Sequence, residues 1–350
     1  MKRDDALRIC EISKDQFYYK PKGGKRGRRA SRKTKRLVDG EWQVFGNGLV
    51  VEHIKEVLAD PLADYGYRRM SYELNLSGWH INHKKVYRLM KAAALLQPKR
   101  EVSSREYVRY RVVAPEEPLR LISMDIKQVW LSGQRRYGFI LTILDVFTRV
   151  VLDWSVGVQM RQADVQQAWQ RVIDNHLMPR QALAWECDIE IRSDNGPQFC
   201  AQQLQEFLAD NHFKQVFTHP YTPQENGHVE SFHAILGRGL QGQDFETLLD
   251  LEGHLEHFYD LYNVQRVHGS TCGLPPMTFW HHWQAGNIER QVLDEKARKV
   301  RFALKIPRYT ITKVVTVDMA SQKAGSSQQR SGLDAHCGAK KQSEEAKATV

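Results

Sequence analysis

Between Leu119 and Leu240 the chain lays out its elements in one order: three β-rich runs, a helix, a strand, a helix, a strand and a helix. The first three runs are "RLISMDI", "YGFILTILDVF" and "RVVLDWSVGV", joined at "LSGQRR" and around Thr148. Connections that short predict an antiparallel meander. Residues 162–176 then carry Val165, Ala168, Trp169, Val172 and Ile173 at helical spacing. "DIEIRS" reads as a fourth strand ending at Asp194, "AQQLQEFLAD" as a helix, "FKQVF" as a fifth strand, and a helix opens near Asn226. Strands alternating with helices after a meander predict an α/β fold, a mixed sheet with helices on its faces.

That order is the ribonuclease H-like arrangement. At 350 residues the chain has room for such a core and for small accessory parts. Residues 1–19 read as a short helical segment, with Ser13 placed to cap its second helix. Residues 20–40 read as a basic linker: Lys20 to Arg36 hold ten basic residues and no acid, out of a formal net charge of +10. Such a run suits a polyanion, nucleic acid first, or is a solvated linker. Within it Arg26, Arg28 and Arg29 are candidate DNA contacts.

Residues 48–97 predict three helices broken at Gly66 and at Ser77–Trp79. In the last of them Val86, Leu89, Met90 and Ala93 form an inward stripe, while Lys84, Lys85, Arg88 and Lys91 gather opposite. That is the layout of a helix–turn–helix whose final helix enters a major groove, or equally of an amphipathic helix with a solvated basic face. Residues 98–115 read as a second linker, 116–285 as the core with a helix from 247 to 268, and 286–319 as an extension. The tail, 320–350, has little to bury and is expected to be disordered.

No apolar run is long enough to cross a membrane; "FILTIL" is stopped by Asp145. The N-terminus has no apolar signal region. Five cysteines (Cys10, Cys187, Cys200, Cys272, Cys337) lie far apart without zinc-type pairing. Both observations point to a reduced, cytoplasmic protein without structural zinc.

Three acids stand out. Asp125 is expected at the end of the first strand, Asp194 at the end of the fourth, and Glu230 one turn into a helix whose Val229, Phe232, Leu236 and Leu240 face inward. Asn226 and His233 share the helix face of Glu230. If the first and fourth strands are neighbours, the three carboxylates meet in one cleft. Gathered acids need a cation, and all-oxygen ligands select magnesium or manganese. Two ions about 3.5–4 Å apart suit phosphodiester chemistry. Taken singly, each acid has a plainer reading: Asp194 before Asn-Gly-Pro is an ordinary turn former, and Glu230 a solvated helix residue.

The stretches "MDI", "LDVFTRVVLDW", "RSDNGPQF" and "PYTPQENGHVESFH" resemble the integrase-like catalytic core of bacterial insertion-sequence transposases, most closely the IS-three family, relatives of retroviral integrases. Asp194 and Glu230 are separated by 35 residues, the spacing of this D, D, E group. "YGYRRMSYELNLSGWHINHKKVYRLMK" and "YNVQRVHGSTCGLPPMTFW" resemble the family's upstream helix–turn–helix and C-terminal signature. The resemblance implies that Asp125, Asp194 and Glu230 are both the catalytic and the metal-binding triad. It also implies a structural role for Asp145, and contacts or packing for Asn226, His233, Tyr262, Asn263, Arg266 and His268. Family members often carry Lys or Arg two turns after the glutamate; here Gly237 stands there, with Arg238 beside it as a candidate DNA contact.

The resemblance therefore implies a transposase that cleaves DNA at element ends and joins the 3′ end to target DNA. The expected partners are terminal-repeat and target DNA, further copies of the chain, and a first-frame protein joined by ribosomal frameshifting. The expected location is the nucleoid. Two rivals stay open: a DNA-binding regulator or degenerate copy without catalysis, and a nuclease of the same fold.

Overall fold

A computed structural model describes residues 3–20, 30–60, 63–96, 115–183, 189–218, 227–294 and 299–314. The chain divides into two units, the first ending at Lys33 and the second running from Thr34. In the first, α1 (Arg3–Ile9) is followed by α2 (Lys14–Tyr18). Ser13 caps α2 as its sequence predicts, its hydroxyl accepting from the Gln16 N–H while the Gln16 side chain accepts from the Ser13 N–H.

The second unit opens differently from its sequence reading. The end of the basic run is a strand, β1 (Lys33–Val38), turned into β2 (Glu41–Gly46) through Asp39 and Gly40, both at positive φ. The two-residue β3 (Trp79–His80) joins them in the order β2–β1–β3. Charge masked this hairpin: Lys33, Lys35 and Arg36 read as linker, yet Thr34 between them is buried and Arg36 lies over the Trp79 ring. Helices α3 (Asn47–Ala59), α4 (Tyr67–Leu76) and α5 (His83–Ala92) follow. They share a core of Val50, Ile54, Met70, Leu74, Val86, Leu89 and Met90.

The large sheet has the order β6–β5–β4–β7–β8. Strands β4 (Leu121–Leu131), β5 (Arg136–Asp145) and β6 (Val151–Gly157) are antiparallel, the expected meander. β7 (Ile189–Ser193) pairs parallel to β4, and β8 (Phe213–Phe217) parallel to β7. The first and fourth strands of the core are thus neighbours, as their order in the chain predicts. α6 (Gln162–Val172), the short α7 (Pro197–Cys200) and α8 (Gln202–Asp210) stand on one face, over Ile122, Met124, Leu141, Ile143, Ile189 and Ile191. α9 (Gly227–Leu240) and α10 (Leu248–Val264) cover the other, over Leu131, Ile140, Leu144, Val151 and Trp154.

Beyond them lie α11 (Pro276–Gln284) and a hairpin of β9 (Ile288–Asp294) with β10 (Lys299–Leu304). Phe279, Phe302 and Phe147 pack together there. The helical segment and the sheet form one packed body. Arg266, just past α10, pairs with Asp64 ahead of α4, and the Val267 N–H donates to the Tyr65 hydroxyl. No described helix is long and apolar enough to cross a membrane.

Candidate active site

Asp125 lies in the middle of β4, not at its end as its sequence suggested, because the strand continues to Leu131. Odd-numbered residues of β4 face α9 and α10: Val129 and Leu131 pack on that side, while Ile122 and Met124 pack on the other. Asp125 therefore opens toward α9. Its Oδ1 accepts from the Ile126 N–H at 2.8 Å, and its Oδ2 lies 3.3 Å from His233 Nδ1. Across the ladder stands Thr142, whose hydroxyl meets the Tyr259 hydroxyl at 2.7 Å and so ties this part of the sheet to α10.

Asp194 follows β7 directly. The parallel register pairs Ser123 with Arg192, and two further residues bring Asp194 level with Asp125 on the same face, one interstrand spacing away. Its Oδ1 accepts from the Gly196 N–H at 3.1 Å, the expected Asx-type turn. The Asn195 amide donates to the Thr218 carbonyl and pins the turn to the end of β8. The turn is tight at Gly196: a Cβ there would sit 3.1 Å from Asp194 Oδ1 and displace the end of the flexible Gln198 side chain. Asp194 is solvent-exposed as a residue, but its carboxyl is crowded by protein. That desolvation raises its pKa, the Gly196 N–H opposes it, and the negative charge of Asp125 pushes it further up.

Glu230 is exposed in the first turn of α9, one turn before His233. Val229, Phe232 and Leu236 bury the opposite stripe of the helix, as expected, while Leu240 is only partly covered. The contact from His233 to Asp125 thus places this part of α9 against β4, one turn after Glu230. His233 Nε2 is buried and has no hydrogen-bond partner among the described residues. Among those residues no group of three or more His, Cys, Asp or Glu is close enough together to hold a metal ion. Two acids are therefore level and the third is one helical turn from the histidine that touches the first.

The remaining sequence candidates divide cleanly. Asn226, Arg26, Arg28 and Arg29 lie outside the described residues. Lys84, Arg88 and Lys91 are exposed on α5 and Lys85 is partly so, opposite the buried Val86, Leu89 and Met90. Burial and the neighbouring Arg88 charge lower the pKa of Lys85, the mark of a crowded basic face. Arg238 is engaged in an ion pair with Asp64 at 2.9 Å, which holds the end of α9 to the loop before α4.

Asp145 is wholly buried and accepts from the Leu119 N–H, the Thr148 N–H and the Thr148 hydroxyl. It organises the β5–β6 turn, the structural role expected of it. Asn263 is also structural: its amide bonds both the N–H and the carbonyl of Val151, clamping α10 to β6. Sequence reasoning passed over Lys127. The signal was present, because a residue two beyond Asp125 in a strand faces the same cleft.

Comparisons with known proteins agree with this architecture. Residues 47–101 match an HTH-like domain, and residues 115–223 and 211–276 match two integrase core domain families. An insertion element IS407 protein of Burkholderia multivorans is 27% identical over 259 residues, 71% of this chain and 90% of that one. The putative transposase InsK of insertion sequence IS150 in Escherichia coli is 23% identical over 292 residues, 79% of this chain and 92% of that one. The transposase InsF of IS3A, also from Escherichia coli, is 23% identical over 230 residues, 61% and 76% of the two chains. Among solved structures, the HTLV-2 integrase catalytic core overlays loosely: its TM-score is 0.36 at 20% identity, over 48% of this chain and 100% of that one. The chain pairs an HTH-like domain with an integrase core domain of ribonuclease H-like fold, and is a homologue of the insertion-element transposases, those of IS3 and IS150 among them.

Proposed function

We propose that this protein is a DNA transposase, performing divalent-metal-dependent strand cleavage and strand transfer at the ends of an insertion element. The observation that carries the reading is the pair Asp125, on β4, and Asp194, one residue past the adjacent parallel β7 and level with it, with α9 set against Asp125 through His233. The names of the homologues support the reaction class. In this assignment residues 48–97 bind DNA and residues 116–285 carry out the chemistry, with Lys84, Lys85, Arg88 and Lys91 on terminal-repeat phosphates. Residues 20–40 add basic charge, although their end is a strand. Further copies of the chain and a first-frame protein are the assigned protein partners, since two DNA ends must be handled together. The assigned location is the cytoplasm, at the nucleoid.

The donor set has the chemistry that a hard cation takes. It consists of carboxylate oxygens, two of them mutually repelling, and Asp194 Oδ2 has no hydrogen-bond partner among the described residues. Asp125, Asp194 and Glu230 would hold magnesium or manganese, two ions in the full assignment. When bound, such ions activate an attacking water or 3′ hydroxyl and stabilise the departing oxygen. The chain's own contribution is positional. The Gly196 N–H and the Asn195 clamp hold the carboxyl of Asp194 in place, and His233 holds that of Asp125 while setting α9 beside it.

The test is magnesium-dependent nicking of supercoiled plasmid, followed by strand transfer of a 3′-hydroxyl duplex. Asp125→Asn, Asp194→Asn and Glu230→Gln are each expected to slow both steps by at least about 100-fold, and EDTA to abolish them. Wild-type nicking by Asp194→Asn removes the assignment. Nicking without any joined product selects a nuclease, and DNA binding without nicking at any magnesium or manganese concentration selects a regulator or degenerate copy.

A further inference from the structure

We infer that Lys127 is the phosphate-binding cation of this cleft, reaching from β4 to lie against Gly237 of α9. The inference rests on the transposase reading and adds a substrate-positioning residue to it. Lys127 lies two residues beyond Asp125 on the same side of β4, and Val129, two further on, packs into the core beneath α9. The helix runs in step with the strand. His233 stands at Asp125, and four residues later Gly237 stands at Lys127. Four helical residues rise about 6 Å and two strand residues about 6.6 Å, so the two elements keep register over this distance. A Cβ on Gly237 would lie 3.8 Å from Lys127 Nζ and 3.9 Å from its Cε.

Two features of this pairing call for a ligand. The end of Lys127 lies against Gly237, where even an added Cβ would make only ordinary contact with it, so no longer side chain of α9 covers the ammonium at that point. Lys127 is half-buried, yet no hydrogen bond or ion pair joins it to any described residue. The ionisable groups near it on α9 offer no alternative. His233 meets Asp125, Arg238 meets Asp64, and Glu230 is two turns from Gly237. In the transposase reading the neighbouring acids hold metal, so the anion that this ammonium pairs with comes from outside. A DNA phosphate next to the scissile one has the right charge, and the compact, freely rotating ammonium suits a single phosphate oxygen.

The test uses the full chain, a fluorescent duplex of about 30 base pairs for binding as a function of salt, and plasmid nicking in magnesium. Lys127→Ala is expected to lower the slope of log affinity against log salt by about 1 and to slow nicking about tenfold or more. Lys127→Arg should retain most activity. The transplant Lys127→Ala with Gly237→Lys, which hangs the cation from the helix instead of the strand, should recover most of the binding and nicking that the single variant forfeits. Lys127→Met, which keeps the apolar stem, replaces the alanine variant if that one melts at a lower temperature than wild type.

An unchanged salt slope and nicking rate in the variant overturn the inference. So does a defect that neither Lys127→Arg nor the transplant repairs, because that pattern belongs to packing. The transposase reading is judged separately. If Asp194→Asn nicks at the wild-type rate, that reading has failed; if Asp194→Asn is dead while Lys127→Ala is unaffected, only the present inference has.

Discussion

At the scale of single residues, the candidate site is a place where the chain keeps charge that folding alone would discard. Burial and the Asp125 charge raise the pKa of Asp194 in the folded state. Its proton is therefore bound more tightly folded than unfolded, so its ionisation opposes folding as pH rises through the carboxylate range. Asn, which still accepts from the Gly196 N–H, removes that penalty. Asp194→Asn is thus expected to raise the thermal midpoint at pH 7 by a few degrees at most, with the difference vanishing near pH 3 where both forms are neutral. Equal midpoints at both pH values would show that the two carboxylates do not repel. Asp145 teaches the opposite lesson: three donors converge on it, and it shapes a turn instead of a site. In the sequence the two aspartates look alike, each next to a turn. Their neighbours in space separate them.

At the scale of elements, helical and strand periodicity predicted most of what is seen. The stripes of α5, α6 and α9 were legible because amphipathic spacing reports burial directly. The β1–β2 hairpin was not, because its alternation is short and its charges imitate a linker. The same ambiguity surrounded α5, whose basic face suits either water or a DNA groove. A concrete measurement separates them. Lys84→Ala combined with Arg88→Ala is expected to reduce the salt slope of duplex binding by about 0.9 for each phosphate no longer neutralised, without moving the thermal midpoint. A slope equal to wild type would assign α5 to the solvated face and move DNA recognition elsewhere.

At the scale of the whole molecule, helical segment and sheet are held together by pairings far apart in sequence. Asp64 gathers Arg238 and Arg266, and Lys313 reaches Glu73 on α4. The core also contains a built-in acid limit. His176, its Nε2 donating to the Leu152 carbonyl, is buried against Trp280. That burial lowers its pKa to about 4. The unfolded chain binds this proton near pH 6.5, so stability is full above that value and falls as pH drops toward 4. This residue alone accounts for a fall of about 3 kcal/mol. His176→Gln is expected to flatten the decline in thermal midpoint between about pH 6.5 and pH 4.5. A slope identical to wild type would place the acid-sensitive group elsewhere, with the buried His268 next in line.

What the sequence determined by itself was local and periodic: the order of elements in the core, the buried stripes, the capped start of α2, and the turn that ends β7 after Ser193. These follow from interactions within a few residues, which the order of side chains encodes directly. Only the tertiary structure decided which face of β4 meets α9, that His233 touches Asp125, and that Arg238 turns away to Asp64 while Lys127 turns in. Those outcomes depend on the register between elements distant in the chain. Close packing in the shared core sets that register, and no short window of sequence contains it.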